Sequence, residues 1–159
     1  MAVLAIAGAL IGVELLSGSS NGSGTGRPAP ALPASVLVPP KVTLASLRGK
    51  PAAINFWASW CSPCRKEAAD LERLAGSLHG RAHLVGVNWT DGLKGARSYV
   101  QQYGWTFPNL RDSSGEVGNR YGLSGLPTTF ILDSRGRVAD VLRGPQSLDG
   151  LRAALHSAG

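Results

Sequence analysis

The chain contains very little sulfur, with only two cysteines, Cys61 and Cys64, and one methionine, Met1, in 159 residues. Because both cysteines belong to one C-x-x-C motif, none is left to cross-link distant parts of the chain, which excludes a disulfide-stapled scaffold. Histidine is also scarce, and the three histidines are His79, His83 and His156. They are not in a paired ligand spacing, so a zinc site at the cysteines would lack its remaining ligands. The residue after Cys64 is Arg65, not the histidine of a haem-attachment motif.

Acidic residues are few, with ten Asp and Glu against sixteen Lys and Arg, which gives a formal charge of +6. The basic residues are dispersed from Arg27 to Arg152, and the longest run is the pair Arg65-Lys66. This dispersion favours a solvated surface with a basic bias, and attraction to an anionic membrane surface is the alternative. No nucleic-acid-binding motif is present, so no nucleic-acid partner is expected.

The N-terminus lacks an apolar run long enough for a confident membrane span, because Glu14 interrupts the apolar stretch Ala2–Val13. We interpret residues 1–16 as a signal peptide or membrane anchor, without the usual positive residues in front of it. There is no lipobox cysteine, so lipid anchoring through cysteine is excluded. Residues 17–40 read as a flexible Gly/Ser-rich and then Pro/Ala-rich linker, which leaves 41–159 as the folded domain. Export is expected, with tethering favoured over cleavage; the alternative is a frayed apolar tail on a cytosolic protein.

The two cysteines follow the apolar run Ala52–Ala58, which predicts a strand buried on both faces. After them, apolar residues at helical spacing predict an amphipathic helix over Pro63–Leu78. A strand that ends in C-x-x-C and turns into a helix is the layout of a dithiol redox centre. Free N–H groups at the helix start would stabilise a thiolate at Cys61, while the more buried Cys64 would close the disulfide. A purely structural disulfide is the alternative, but such a small loop would stabilise little.

From residue 41 onward, strand and helix patterns alternate in the order β-α-β-α-β-β-α, with a small insertion in the middle. This order predicts a mixed sheet covered by helices. Besides those around the cysteines, the predicted strands cover residues 41–47, 83–89, 128–133 and 137–143, and the predicted helices cover 93–103, 117–121 and 147–156.

Four parts of the sequence match the motifs of a known protein family. They are residues 55–67 around the cysteines, residues 86–88, residues 121–133 and Gly136. Together they resemble the thioredoxin fold, and within it the extracytoplasmic TlpA/ResA/CcmG (DsbE-like) thiol-disulfide oxidoreductases, over residues 42–155. The resemblance implies an α/β thioredoxin-like domain with a small central insertion, and a redox-active Cys61–Cys64 disulfide. No cofactor and no metal are implied.

The resemblance also implies a substrate site around the dithiol. Pro127 would follow a cis peptide bond beside the cysteines, and the backbone of Leu126 would pair with an extended substrate segment. Thr128 completes this segment, and Trp60 would line the docking surface.

Glu67 lies three residues after Cys64, on the same face of the expected helix. By resemblance it would be partly buried beside the dithiol, with a raised pKa suited to moving a proton to or from Cys64. The alternative is an exposed helix carboxylate paired with a basic residue. Asn55 stands at the strand position where thioredoxin has an aspartate, so Glu67 is the acid that the local sequence offers.

Two departures from the family pattern matter. Ala69 replaces the proline that kinks the active-site helix in relatives, which predicts a straighter helix. Ser62 and Pro63 between the cysteines leave the redox direction open.

The resemblance further implies protein disulfide substrates, with apocytochrome c as a candidate client, and a membrane thiol electron donor of the DsbD/CcdA kind. A monomer on the outer face of the membrane, or exported, is expected. The alternatives are a copper-site reductant, a copper(I) metallochaperone without turnover and a disulfide-forming oxidant.

Overall fold

A computed structural model describes residues 25–159, so the predicted leader and most of the Gly/Ser part of the linker lie outside the described residues. Six strands, five α-helices and one 3-10 helix are formed in this part of the chain. In order, they are β1 Ser35–Val38, α1 Leu44–Leu47, β2 Ala52–Trp57, the 3-10 helix Pro63–Lys66, α2 Ala68–Ser77, β3 His83–Trp89, α3 Leu93–Tyr103, β4 Asn109–Asp112, α4 Glu116–Tyr121, β5 Thr128–Leu132, β6 Val138–Arg143 and α5 Leu148–Ser157.

The strands form one mixed sheet in the order β1-β4-β3-β2-β5-β6. Strand β2 is central, parallel to β3 and antiparallel to β5, and all six of its residues are buried. The mixed sheet predicted from the alternation of elements is confirmed. Since β2 and β3 are parallel, their carboxyl ends meet at one edge, which is where the chain continues from β2 into the cysteines.

A separate hydrophobic cluster covers each face of the sheet, because successive strand residues point to opposite faces. The first contains both cysteines and the apolar faces of α2, α3 and α5, including Leu71, Ala96 and Leu151. The second packs Phe56, Tyr121 and Phe130 together, with ring centroids between 4.9 and 5.6 Å apart. The active-site segment therefore rests on a fully formed core.

The strand predicted for residues 41–47 is wrong, because Leu44–Leu47 forms the short helix α1. Thr43 and Ser46 cap this helix reciprocally. The Ser46 N–H donates to Thr43 Oγ1 at 3.3 Å, and the Thr43 N–H donates to Ser46 Oγ at 3.1 Å. This local capping box favours a helix start over a strand.

The predicted linker does not extend to residue 40. Residues 35–38 form β1, which pairs antiparallel with β4. Ala29 is buried, and the carbonyl of Pro30 accepts a hydrogen bond of 2.9 Å from the Tyr121 hydroxyl. The Pro/Ala-rich segment is ordered because it supplies an edge strand and covers apolar side chains of the second cluster.

The single helix predicted over Pro63–Leu78 is also wrong, because it is divided at Glu67. A 3-10 helix ends at Lys66, Glu67 lies at φ −103° and ψ −7°, and α2 begins at Ala68. The Glu67 N–H donates to the Cys64 carbonyl at 3.3 Å, which is a 3-10 contact. The junction is held there because partners on two other elements bind the Glu67 side chain, as described below.

No helix within residues 25–159 has both the length and the apolar character needed to cross a bilayer.

Candidate active site

Cys61 and Cys64 form a disulfide at the start of the 3-10 helix, directly beyond the carboxyl end of β2. Cys61 is 3% exposed and Cys64 is 1% exposed, so both sulfurs lie at the surface of the core, and Cys64 is the more buried. The Cys64 N–H points at Cys61 Sγ, 3.2 Å away. It is one of the backbone N–H groups at the helix start from which the sequence predicts stabilisation of a Cys61 thiolate.

Glu67 is a buried carboxylate close to the dithiol, with 1% of its surface exposed. Its Oε1 accepts a hydrogen bond of 2.8 Å from Asn55 Nδ2, and its Oε2 accepts one of 2.9 Å from the Gln146 N–H. Burial raises the pKa of Glu67 to about 7, against the lowering effect of these two donors. The alternative of an exposed, ion-paired glutamate is excluded, and the group can both take and give a proton near neutral pH.

Asn55 holds Glu67 in place from the central strand. Its Nδ2 also donates to Thr129 Oγ1 at 2.9 Å, while its Oδ1 has no hydrogen-bond partner within the described chain. Because Asn does not titrate, the proton in this buried cluster belongs to Glu67.

The peptide bond between Leu126 and Pro127 is cis, as predicted. The Pro127 carbonyl accepts the Gly144 N–H at 2.9 Å, and the Thr128 hydroxyl donates to the Gly125 carbonyl at 2.8 Å. In residues 25–159, the backbone N–H and C=O of Leu126 make no backbone hydrogen bond. The Leu126 side chain packs against the cluster that contains both cysteines. An unpaired backbone beside the dithiol is what addition of a substrate strand requires.

Trp60 is 56% exposed, immediately before Cys61. Its ring lies 6.3 Å from that of half-buried Trp89, and its Nε1 donates to the Thr90 carbonyl at 3.3 Å. Trp57, in contrast, is fully buried and stacks on Tyr99 at 4.7 Å, so it belongs to the core as expected. Of these tryptophans, Trp60 is the one whose ring is exposed beside Cys61.

Sequence reasoning missed Asp91, which fixes the segment in front of the cysteines. Its carboxylate accepts the Ser59 N–H at 2.7 Å, the Ser59 hydroxyl at 2.9 Å and Asn88 Nδ2 at 2.8 Å. The signal was available, because Asp91 follows β3 at the same sheet edge where Ser59 follows the parallel strand β2. Gln146, from the loop before α5, was also missed, and its backbone contact with Glu67 carries no sequence signal.

A C-x-x-C disulfide at the end of a central strand, faced by a cis-proline loop and a buried acid, defines a thiol-disulfide oxidoreductase of the thioredoxin fold. The chain belongs to the AhpC/TSA family, whose model matches residues 25–141.

Among its relatives, the thioredoxin-like protein YneN of Bacillus subtilis is 35% identical over 73% of this chain and 69% of its own length. The thiol-disulfide oxidoreductase ResA of Geobacillus thermodenitrificans is 30% identical over 72% of this chain and 66% of its own length. In structure, the chain is similar to a DsbF homologue from Corynebacterium diphtheriae, with a TM-score of 0.75, 29% identity and coverage of 82% and 85% of the two chains. The chain thus spans about two thirds of the length of these two curated relatives.

Proposed function

We propose that the protein reduces disulfide bonds in other proteins by dithiol–disulfide exchange through Cys61 and Cys64, outside the cytoplasm. The observation that carries this proposal is the pairing of the Cys61–Cys64 disulfide with a buried acid, Glu67, whose pKa lies at about 7. A purely structural disulfide has no use for such a proton carrier.

In the first step, the Cys61 thiolate attacks one sulfur of a client disulfide. A mixed disulfide forms between Cys61 and the client, and the other client sulfur leaves as a thiolate that takes up a proton. The Cys64 N–H, which points at Cys61 Sγ, favours the attacking thiolate over the thiol.

In the second step, Glu67 in its carboxylate form accepts the proton of the Cys64 thiol. The Cys64 thiolate attacks Cys61 Sγ, the bond to the client breaks, and the second client sulfur leaves with a proton. Two electrons have then passed from the dithiol to the client, and Cys61–Cys64 is oxidised. A pKa near 7 allows Glu67 to be reset by solvent at neutral pH.

The client is held in an extended conformation. The free backbone of Leu126 pairs with the client strand, next to Pro127 and Thr128, and exposed Trp60 contacts it from the other side of Cys61. Because these contacts involve the client backbone and an apolar ring, they allow protein clients of different sequences to bind.

The physiological client proposed is an apocytochrome c with an oxidised pair of cysteines. Reduction of Cys61–Cys64 after each cycle is assigned to a membrane thiol donor of the DsbD/CcdA kind. We place the monomeric domain outside the cytoplasm, tethered through residues 1–16. The names of relatives such as ResA support the exchange chemistry, and the tether rests on the apolar sequence alone.

Reduction of insulin by the purified protein, driven by dithiothreitol, tests the activity. We expect catalysis by the wild-type chain and none by Cys61→Ser. With Cys64→Ser, the first step proceeds and a mixed disulfide accumulates, which mass spectrometry identifies. Absence of exchange combined with tight copper(I) binding would instead support the metallochaperone alternative.

The redox direction needs a separate measurement. Equilibration with glutathione gives the reduction potential of Cys61–Cys64. A potential well below that of the oxidising extracytoplasmic environment supports a reductant, whereas a strongly oxidising value would reverse the proposed direction.

A further inference from the structure

The central sheet gives the domain two opposite ends. The dithiol follows the carboxyl end of β2, and the other end begins at Pro51, whose carbonyl accepts the His83 N–H at 2.9 Å. The β5–β6 turn also lies there, because the Gly49 N–H donates to the Ser134 carbonyl at 2.8 Å. Six strand residues separate the two ends by about 20 Å. We call the second one the basal end, and it comprises residues 48–51, 79–83, 133–137 and 152–159.

The basal end is strongly basic. Its cationic side chains are all exposed, and they are Arg48, Lys50, Arg81, Arg135, Arg137 and Arg152. Asp133 is the only acidic side chain in these ranges, and its Oδ1 is engaged by the backbone N–H groups of Arg135 and Arg137, each at 2.9 Å. Just outside them, exposed Asp149 lies 3.9 Å from the Arg152 guanidinium. Consistent with a positive local potential, Lys50 adds to burial in lowering the pKa of His83.

A cavity of about 490 Å³ opens at this end, between the last turns of α2 and α5. Arg81, Arg152 and His156 line it together with apolar atoms of Leu78 and Leu155. No Asp or Glu side chain contributes to its lining. The combination of two arginine guanidinium groups with apolar atoms suits a phosphate ester attached to an aliphatic chain.

The chain path leads to the same end. The Gly26 N–H donates to the Val138 carbonyl at 2.7 Å, the Arg137 guanidinium donates to the Gly26 carbonyl, and Pro28 bridges to Arg137. The 24 residues before the described part include the apolar run Ala2–Val13. The apolar segment is therefore joined to the domain at its basic end, and not near the dithiol.

We propose that the basal end docks on a bilayer surface that carries anionic phospholipid headgroups, so that the dithiol faces away from the membrane. Cations close to such a surface are attracted within about one Debye length, about 8–10 Å at moderate salt. Docking at the basal end leaves Trp60, Cys61 and the Leu126 backbone open to soluble clients. This orientation is independent of the exchange chemistry proposed above.

The test uses the full chain mixed with vesicles of phosphatidylcholine, with or without phosphatidylglycerol, followed by hydrogen–deuterium exchange. We expect the basal end to gain protection only with phosphatidylglycerol, and high salt to remove it. Any insertion of the apolar N-terminus occurs in both lipids, so it cancels in the comparison.

Charge-neutralising variants locate the docking surface. Loss of two cations in Arg81→Gln/Arg152→Gln should lower the ratio of docked to undocked domain about 30-fold. The control Lys94→Gln/Arg97→Gln removes the same charge from exposed positions of α3 and should change this ratio little. A second pair, Lys50→Gln/Arg135→Gln, repeats the test should the first pair unfold, which thermal unfolding reports.

Protection without phosphatidylglycerol dependence, protection at the dithiol end, or equal losses in test and control pairs would overturn the proposal. Insulin reduction by the same samples reports the exchange activity separately. Loss of docking with exchange intact therefore contradicts this inference alone, and loss of exchange with docking intact contradicts the proposed function alone.

Discussion

The side-chain amide of Asn55 donates a hydrogen bond of 2.8 Å to Glu67, inside the core and next to the dithiol. The central strand thereby holds the buried acid at the start of α2. The two donors on Glu67 stabilise its charged form, and burial destabilises it more strongly, so its pKa settles at about 7. Both the chemistry and the stability of the domain should depend on this balance.

The first prediction concerns Glu67→Gln and the pH dependence of stability. In the folded protein the pKa of Glu67 is about 7, against an ordinary value of 4.5 for an exposed glutamate, so between these pH values the folded state holds one more proton than the unfolded chain. The wild-type free energy of unfolding should therefore fall as pH rises from about 4.5 through 7, by about 3 kcal/mol in total from this group. Urea unfolding of the oxidised protein across this range should show a flatter curve for Glu67→Gln.

Glu116→Gln is the matched control, because Glu116 is an exposed helix glutamate. It should retain the wild-type slope. A Glu67→Gln curve as steep as that of the wild type would show that Glu67 does not carry the buried proton.

The second prediction concerns Asn55→Asp. This change places a second carboxyl group within hydrogen-bond distance of Glu67, and two such groups share one proton because they repel when both are charged. We expect a loss of stability above neutral pH and a shift of the rate-limiting deprotonation to higher pH. The pH profile of insulin reduction checks this, and Asn55→Asp with an unchanged profile would argue against proton transfer through Glu67.

The third prediction concerns the anchor of the active-site segment. Asp91→Ala removes three hydrogen bonds, two to Ser59 and one to Asn88, and should cost about 2–3 kcal/mol of stability. Ser59→Ala removes only the hydroxyl contact and should cost about 1 kcal/mol. Urea unfolding measures both, and equal losses would mean that neither the Ser59 N–H contact nor the Asn88 contact contributes to stability.

The fourth prediction concerns Trp60→Ala. Because the side chain is 56% exposed, its removal should change the free energy of unfolding by less than about 1 kcal/mol. Loss of its contact surface should lower kcat/KM for insulin about 10-fold while leaving the rate with a small disulfide such as oxidised glutathione nearly unchanged. Equal reductions with both substrates would assign Trp60 to positioning Cys61 and not to docking.

Several features were predictable from the sequence because their causes are local. The strand before Cys61, the helix over residues 93–103 and the turn between β5 and β6 follow from periodicity and turn residues. The left-handed Gly104 at φ 62° ends α3 where the sequence predicted. The dithiol could be predicted from the spacing of the two cysteines alone. The cis bond before Pro127 could be predicted from the family motif in the residues around it.

The errors share a cause as well. Residues 27–40 have the composition of a linker, yet β1 forms within them by pairing with β4, about 70 residues later. The break at Glu67 depends on Asn55 and on Gln146, which is 79 residues away. No local pattern encodes partners at such separations.

The sequence alone thus determined the class of chemistry, because two cysteines at this spacing between a strand and a helix form a dithiol that can close to a disulfide. Only the tertiary structure decided how that chemistry is tuned and oriented. It buried Glu67 against Asn55, anchored Ser59 on Asp91, and gathered dispersed cations at the end opposite the dithiol. Burial, hydrogen bonding and surface charge all depend on which distant segments meet, and that is set by the fold.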